Sequence, residues 1–260
     1  MELVAVVLLA GCFAAYFVLG GADIGLGMAL PYLGRDRAER RQAGGALWPT
    51  SVVHEGWLLL AVAVLAACFP ALVGEVTGGL WAVLVPLLAG WLVRNTGLCW
   101  RAAGGGPVCD ALVVAGSCLL ACGWGWTLAS VVDEESVRPA PPVTGAPTAA
   151  GVALLFLAHG VSSAALRLTG APLRRARVLT GQQAGAPSFA LTSAVMAALP
   201  LLAGHRLPLW ENVAHGSVQR LLLPLLICAV PLLLAAQARL RRRSGAPTHC
   251  EPCGERPKQP

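Results

Sequence analysis

The sequence predicts an all-α protein, a bundle of about seven helices that crosses a membrane, and three observations support this prediction. Of its 260 residues, 56% are hydrophobic and 12% are charged, whereas about 25% of residues are charged in soluble domains. Seven apolar runs approach the roughly 20 residues that a helix needs to cross the hydrocarbon core. Only short polar pieces separate these runs. The composition therefore excludes a soluble enzyme and predicts one membrane domain.

Each apolar run is expected to form one spanning helix that ends where the sequence becomes polar. The first run is interpreted as a retained helix because it carries Glu2 in place of a basic leader and is longer than the apolar core of a cleaved signal peptide. The sixth run is the weakest of the seven. The longest polar pieces are 34–45, 133–147 and 169–185. In order, the predicted spans are 3–30, 52–73, 80–100, 108–132, 148–168, 189–202 and 218–240.

The arginines predict the orientation of the bundle. Twelve of them fall in one alternating set of loops and in the segment after the last span, against three in the other set. Because cytoplasmic loops carry the excess of basic residues, we expect the amino terminus outside the cell and the carboxyl terminus in the cytoplasm. No loop interleaves these arginines with aromatic residues, which argues against nucleic acid as a partner.

The last twenty residues are expected to lie outside the membrane domain, which we assign to 1–240. Residues 241–260 are rich in Pro and Arg and are interpreted as a disordered cytoplasmic tail. Within this tail, Cys250 and Cys253 form a Cys-x-x-Cys pair that follows His249. A single pair of this kind is only a weak candidate for a zinc or dithiol site.

Five ionisable residues inside the spans map to one depth, near the cytoplasmic ends of their helices. Such residues are costly in a membrane and usually serve a function or pair with one another. Carboxylates and histidine can exchange protons, and a fixed arginine can hold a carboxylate ionised. A proton entrance and a purely structural ion pair, for example between Asp23 and Arg94, both remain open. The five residues are Asp23, His54, Glu55 and Asp110 as proton-path candidates, and Arg94 as their charge partner.

Two further features of the spans allow alternative interpretations. His159, in the middle of the fifth span, could bind haem or relay protons, but a neutral histidine bonded to a neighbouring helix is more common, and no second histidine in mid-membrane could complete a bis-histidine haem site. The glycines around Asp23 predict either close packing of a neighbouring helix or an unwound stretch that lines a cavity. Trp124 and Trp126 are expected to lie at the outer membrane interface.

A longer pattern resembles a known family. Residues 16–41 read YFVLGGADIGLGMALPYLGRDRAERR, which closely resembles the first helix and first loop of subunit II of cytochrome bd-type quinol oxidases. Looser similarity continues through about residue 180. It lies at 55–59 with 69–70, 94–101, Asp110 with 116–117, 159–160 and 166–170. The chain is therefore identified as a divergent, shortened member of this family.

The resemblance implies a subunit of a respiratory terminal oxidase in the bacterial plasma membrane, which oxidises quinol and reduces dioxygen to water. It implies that haem b, haem d and the quinol site belong mainly to the partner, subunit I. Subunit II would stabilise the assembly and contribute to a proton path. Asp23 corresponds to the acidic residue of the family's first helix, and Glu55 follows the position of the family's Trp-Asp-Gly-Asn segment.

The chain departs from the family pattern at two acidic positions. Val52 stands where the family has the second-helix Asp linked to proton conduction, and Cys99 replaces an acid in the segment that closes the third helix. His54 beside Glu55 is the hypothetical substitute.

Two alternative functions remain open. One is a small transporter or proton channel lined by Asp23, Glu55 and Arg94, which inverted repeats would favour, although none is visible. The other is a degenerate structural subunit that has lost proton conduction. In every case we expect this chain to bind no haem by itself.

Overall fold

The computed structural model describes residues 2–133, 138–181, 185–214 and 216–244, and within them the chain is helical almost throughout. Within these described residues, seven helical segments are long and apolar enough to cross a membrane, which confirms the predicted all-helical, seven-span fold. The helices of the described residues are α1 (Glu2–Leu33), α2 (Arg37–Cys68), α3 (Pro70–Gly79), α4 (Trp81–Ala102), α5 (Pro107–Val132), α6 (Pro142–Arg167), α7 (Gly170–Thr180), α8 (Gly185–Gly204) and α9 (Gly216–Ser244).

The second span differs from the sequence prediction at both ends. Helix α2 begins at Arg37, inside the predicted loop, because the carboxylate of Asp36 accepts a hydrogen bond from the Glu39 amide at 2.8 Å and caps the helix. It ends at Cys68 rather than continuing to residue 73. Proline disfavours helical backbone in the residue before it, and the buried Phe69 lies between α2 and Pro70, which starts α3.

Helix α1 lies at the centre of the bundle, in contact with α2, α5, α6, α7 and α8. Its glycine-rich stretch is regular helix, which decides between the two interpretations of these glycines in favour of close packing. A side chain on Gly25 would overlap the carbonyl group of Phe156, and one on Gly160 would overlap the backbone of Gly25. Helices α1 and α6 therefore meet backbone against backbone.

Four aromatic side chains fill the core beside this contact. The rings of Phe17 and Trp124 meet edge to face with centroids 5.1 Å apart, and Tyr16 and Phe156 pack beside them. Trp124 is only 9% exposed, so its ring packs in the core and does not face lipid. Trp126, on another face of α5, donates a hydrogen bond to the Ala140 carbonyl.

Candidate functional site

Asp23 is the centre of a buried polar group between α1, α2 and α6. Its carboxylate is completely buried and accepts hydrogen bonds from the Ser51 and Thr50 hydroxyls, both at 3.3 Å. His54 Nδ1 lies 2.7 Å from the same carboxylate. Thr50, Ser51 and His54 share one face of α2, because residues three and four positions apart are neighbours on a helix. Arg167, at the end of α6, donates to Asp23 from 3.3 Å.

Arg94 extends this group to α4. One terminal nitrogen of its guanidinium donates to Glu55 and the other donates to the Ser51 hydroxyl, both at 3.1 Å. Arg94 is 3% exposed. The ion pair considered from the sequence, Asp23 with Arg94, is thus replaced by Arg94 with Glu55, and Ser51 connects Arg94 to Asp23. We call these six residues the buried charge cluster: Asp23, Ser51, His54, Glu55, Arg94 and Arg167.

The formal charges of the buried charge cluster balance. Two carboxylates face two guanidinium groups, and the charges of these four groups sum to zero. Buried charges need such partners, because an unpaired ion in a low-dielectric interior is strongly destabilising. The cluster is not sealed, since the side chains of Arg167 and Glu55 are 30% and 16% exposed. The cluster therefore reaches the edge of the bundle at Arg167 and Glu55.

Asp110, the fifth residue predicted for this depth, lies in a separate group. It pairs with Arg101 and, at 3.7 Å, with Arg40. Arg101 also donates to the Arg40 carbonyl. These contacts join the ends of α4 and α5 to α2, and we call the three residues the anchor group. Equal depth was not enough to bring Asp110 to the buried charge cluster.

A third ion pair lies outside the spans, between α2 and α7. Arg175 donates to both carboxylate oxygens of Glu39, at 2.7 and 3.1 Å, and to the Leu33 carbonyl at 2.6 Å. The Arg35 amide donates to Glu39 at 2.8 Å. The bonds from Arg175 and Arg35 lower the pKa of Glu39 to about 2, and the same pair raises the pKa of Arg175. This pair holds the start of α2 and helix α7 against the end of α1.

His159 on α6 connects this helix to α1 and α8 through hydrogen bonds. Its Nε2 donates to the Val18 carbonyl at 2.8 Å, which fixes the proton on that nitrogen, and its Nδ1 accepts from the Thr192 hydroxyl at 2.8 Å. The ring stacks on Phe189 with centroids 5.0 Å apart. Because both nitrogens serve bonds within the chain, the donor set does not fit a haem iron.

Metal ligands are not assembled in the part of the chain that the structure describes. No three His, Cys, Asp or Glu residues in it stand close enough to hold an ion. The weak candidates Cys250 and Cys253 lie outside the described residues.

Sequence reasoning missed two members of the buried charge cluster, Ser51 and Arg167. Ser51 carried a detectable signal, because positions 51, 54 and 55 fall on one helical face. Position along the chain does not place Arg167 beside Asp23, because only the packing of α6 on α1 brings the two together.

Comparison with known proteins gives two matches. The family model described as cytochrome bd terminal oxidase subunit II matches residues 1–250, well beyond the region in which the motifs are visible by eye. The chain is also similar to the cytochrome bd ubiquinol oxidase subunit 2 of Bacillus subtilis (strain 168), with 30% identity over 95 residues. The aligned stretch is 36% of this chain and 28% of the length of that relative.

Proposed function

This chain belongs to the cytochrome bd terminal oxidase subunit II family, and from that membership we propose that it works as subunit II of a bd-type quinol oxidase. It is a multi-pass protein of the bacterial plasma membrane. In the proposed complex, subunit I carries haem b and haem d, takes electrons from quinol and reduces dioxygen to water. Those cofactors supply the redox chemistry. This chain stabilises the assembly and delivers protons from the cytoplasm.

The observation that carries the proton-delivery role is the buried charge cluster. A proton can enter at Glu55, whose carboxylate is partly exposed, while Arg94 holds that carboxylate in place. His54 and Asp23 form a second pair at 2.7 Å deeper in the bundle, where a proton can reside on the imidazole or be shared. The cluster thus offers two neighbouring places for a proton.

The two positions at which the family has acids lie on outer faces of the chain. Val52 is 60% exposed and Cys99 is exposed. The neighbouring Ser51, His54 and Glu55 face inward instead. We infer that His54 and Glu55 provide an internal route rather than a replacement at the same place.

Mutation of His54 and Glu55 in the assembled complex tests this role. Replacing both with leucine removes both titrating groups, and we expect quinol-dependent oxygen uptake to slow while the haem spectrum still reports an assembled oxidase. The Glu55→Gln change alone keeps the shape and a hydrogen-bond acceptor, and it should also slow turnover. Glu75→Gln, on α3 at the opposite end of the bundle, serves as the matched control. Unchanged turnover in both test variants would remove these residues from the mechanism.

The small size of the cavity at the cluster argues against the alternative of a solute transporter. The cavity there has a volume of about 10 Å³, which is room for about one water molecule. The alternative of a structural subunit without proton conduction is decided by the same His54 and Glu55 variants.

A further inference from the structure

A small cavity opens inside the buried charge cluster, between α1, α2, α4 and α5. Its volume is about 10 Å³, close to the minimum that holds one water molecule. The polar side chains that line it are Tyr16, Asp23, Ser51, Glu55 and Arg94. A buried water is stable only where several polar groups surround it, and this cavity meets that condition.

Two hydrogen-bond donors at this cavity call for an acceptor. Nε of Arg94 is buried and has no hydrogen-bond partner among the described residues, although both terminal nitrogens of the same guanidinium are bonded. The Tyr16 hydroxyl accepts a bond from Trp124 Nε1 at 3.4 Å, which leaves its own proton to donate. Buried donors without acceptors are costly, so an oxygen atom in the cavity would stabilise both.

The charges select a neutral ligand. The two carboxylates and two guanidinium groups of the cluster already balance, so a cation or an anion would add an uncompensated buried charge. Asp23 already accepts from Thr50, Ser51, His54 and Arg167. Glu55 and Ser51 line the same cavity and present their oxygen atoms beside Arg94.

We propose that this cavity is a binding site for one water molecule, which accepts from Arg94 Nε and the Tyr16 hydroxyl and donates to Glu55 and Ser51. Two bonds accepted and two donated match the capacity of water. The resulting chain of hydrogen bonds runs from Glu55 through the water and Ser51 to Asp23, and it adds a second connection between two carboxylates that Arg94 and Ser51 already join.

This water gives the proton path its middle step, a role that rests on the proposed function. When Glu55 carries a proton, its bond to the water takes the place of the Tyr16 bond; the water accepts that proton and donates one of its own to Ser51, and Ser51 donates its hydroxyl proton to Asp23. Glu55 loses one proton, Asp23 gains one, and the water and the serine are unchanged. Arg94 and Tyr16 act as positioning residues that hold the water between its partners.

The first test is a cryo-EM map of the assembled complex at a resolution that shows ordered water. We expect one peak within hydrogen-bond distance of Arg94 Nε, between that atom and Glu55. If other buried waters are visible and this place holds no peak, the proposed site is wrong. The His54 and Glu55 variants would still decide the proton-delivery role, so the two failures are distinguishable.

The second test compares Tyr16→Phe with Tyr32→Phe in the same complex. Tyr16→Phe removes one donor to the water and keeps the ring, so the peak should be lost and oxygen uptake should slow. Tyr32 is exposed and donates to the Arg175 carbonyl at the surface, so its variant should keep the peak and the rate. Loss of the peak with unchanged uptake would support the water site and contradict its role in proton delivery. Persistence of the peak with unchanged uptake would overturn the part assigned to Tyr16.

If Tyr16→Phe does not assemble, a glycine pair on α1 replaces it. A Cβ on Gly20, which lines the cavity, would lie 2.8 Å from the Tyr16 ring and displace it, whereas a Cβ on Gly11 meets nothing within 4 Å. Gly20→Ala should remove the water peak and Gly11→Ala should keep it. Equal water peaks in the two variants would contradict the proposed geometry.

Discussion

Single side chains in the interior are held by their charge partners. Arg94 is the clearest example, because one guanidinium connects Glu55 on α2 with Ser51 on the same helix and closes the cluster from α4. The planar guanidinium of arginine donates to two acceptors at fixed angles. Lysine could not reproduce both bonds.

Removing Arg94 should therefore destabilise the protein strongly. Arg94→Met leaves the Glu55 carboxylate without its buried partner, and we expect a loss of about 3–5 kcal/mol in the free energy of unfolding. Thermal unfolding in detergent measures the loss. Arg94→Lys should recover part of it, and Arg177→Met, at an exposed position of α7, should change little. A variant Arg94→Met as stable as the exposed control would contradict the charge balance described above.

The Glu39 and Arg175 pair should make stability depend on acid pH. Because the folded state lowers the pKa of Glu39 to about 2, from an ordinary value near 4.5, the pair stabilises the folded protein fully above the ordinary value. This stabilisation is lost as the pH falls through the window from about 4.5 to about 2. The stability of Glu39→Gln should vary less with pH over that window. Unfolding temperatures recorded between pH 6 and pH 2 test this, and parallel curves for the two proteins would contradict it.

At the scale of helices, the contact between α1 and α6 depends on two glycines. The backbones of Gly25 and Gly160 approach so closely that any side chain at either position would overlap the other helix. In a membrane such close approach contributes packing that lipid-facing residues cannot supply. The same contact brings Arg167 and His159 of α6 to α1.

Substitution at the contact between α1 and α6 should weaken the hydrogen bonds that Arg167 and His159 make to α1. Gly25→Ala forces α1 and α6 apart, and overpacking of this kind costs typically about 1–3 kcal/mol, and more where backbone must move. Gly151→Ala on α6 is the matched control, because its added Cβ meets nothing within 4 Å. We expect Gly25→Ala to lower the unfolding temperature and Gly151→Ala not to lower it. Equal stability of the two variants would show that the helices separate without cost.

Some features of the elements were predictable from the sequence and others were not. Hydropathy predicts seven spans and the common depth of Asp23, His54, Glu55 and Arg94, because both follow from position along the chain. Depth says nothing about the direction in which a side chain points around its helix, so the choice of Glu55 for Arg94 and the separation of Asp110 required the packing. The burial of Trp124 escaped prediction for the same reason.

Taken as a whole, the molecule has polar groups of different kinds at its two ends. The anchor group and the Glu39 pair lie at the end that the arginines assign to the cytoplasm. The opposite end holds a wide opening of about 740 Å³, lined in part by Glu75, Asp133 and Arg138. The orientation of the bundle therefore decides which of these groups faces the cytoplasm.

Labelling of single cysteines tests that orientation. In a variant without native cysteines, Ala103→Cys should react with an impermeant reagent only when the cytoplasmic face is opened, whereas Glu211→Cys should react in intact cells. The expectation follows from the excess of arginine on one side. The reverse pattern would invert the bundle and move the proton entrance to the outer face.

The depth of Asp23 has an electrical consequence. It lies ten residues from the end of the 32-residue α1 at Leu33, which is about 15 Å, or a third of the helix length. In the orientation that the arginines predict, and if the voltage falls evenly along α1, a proton that reaches Asp23 from the cytoplasm crosses about a third of the voltage drop, against the negative interior. At about 2.3 kcal/mol per charge for each 100 mV across the whole membrane, this is work of about 0.8 kcal/mol per 100 mV. In that orientation we expect protonation of the buried charge cluster to depend on voltage, so that an energised cell holds the cluster less protonated than a resting one.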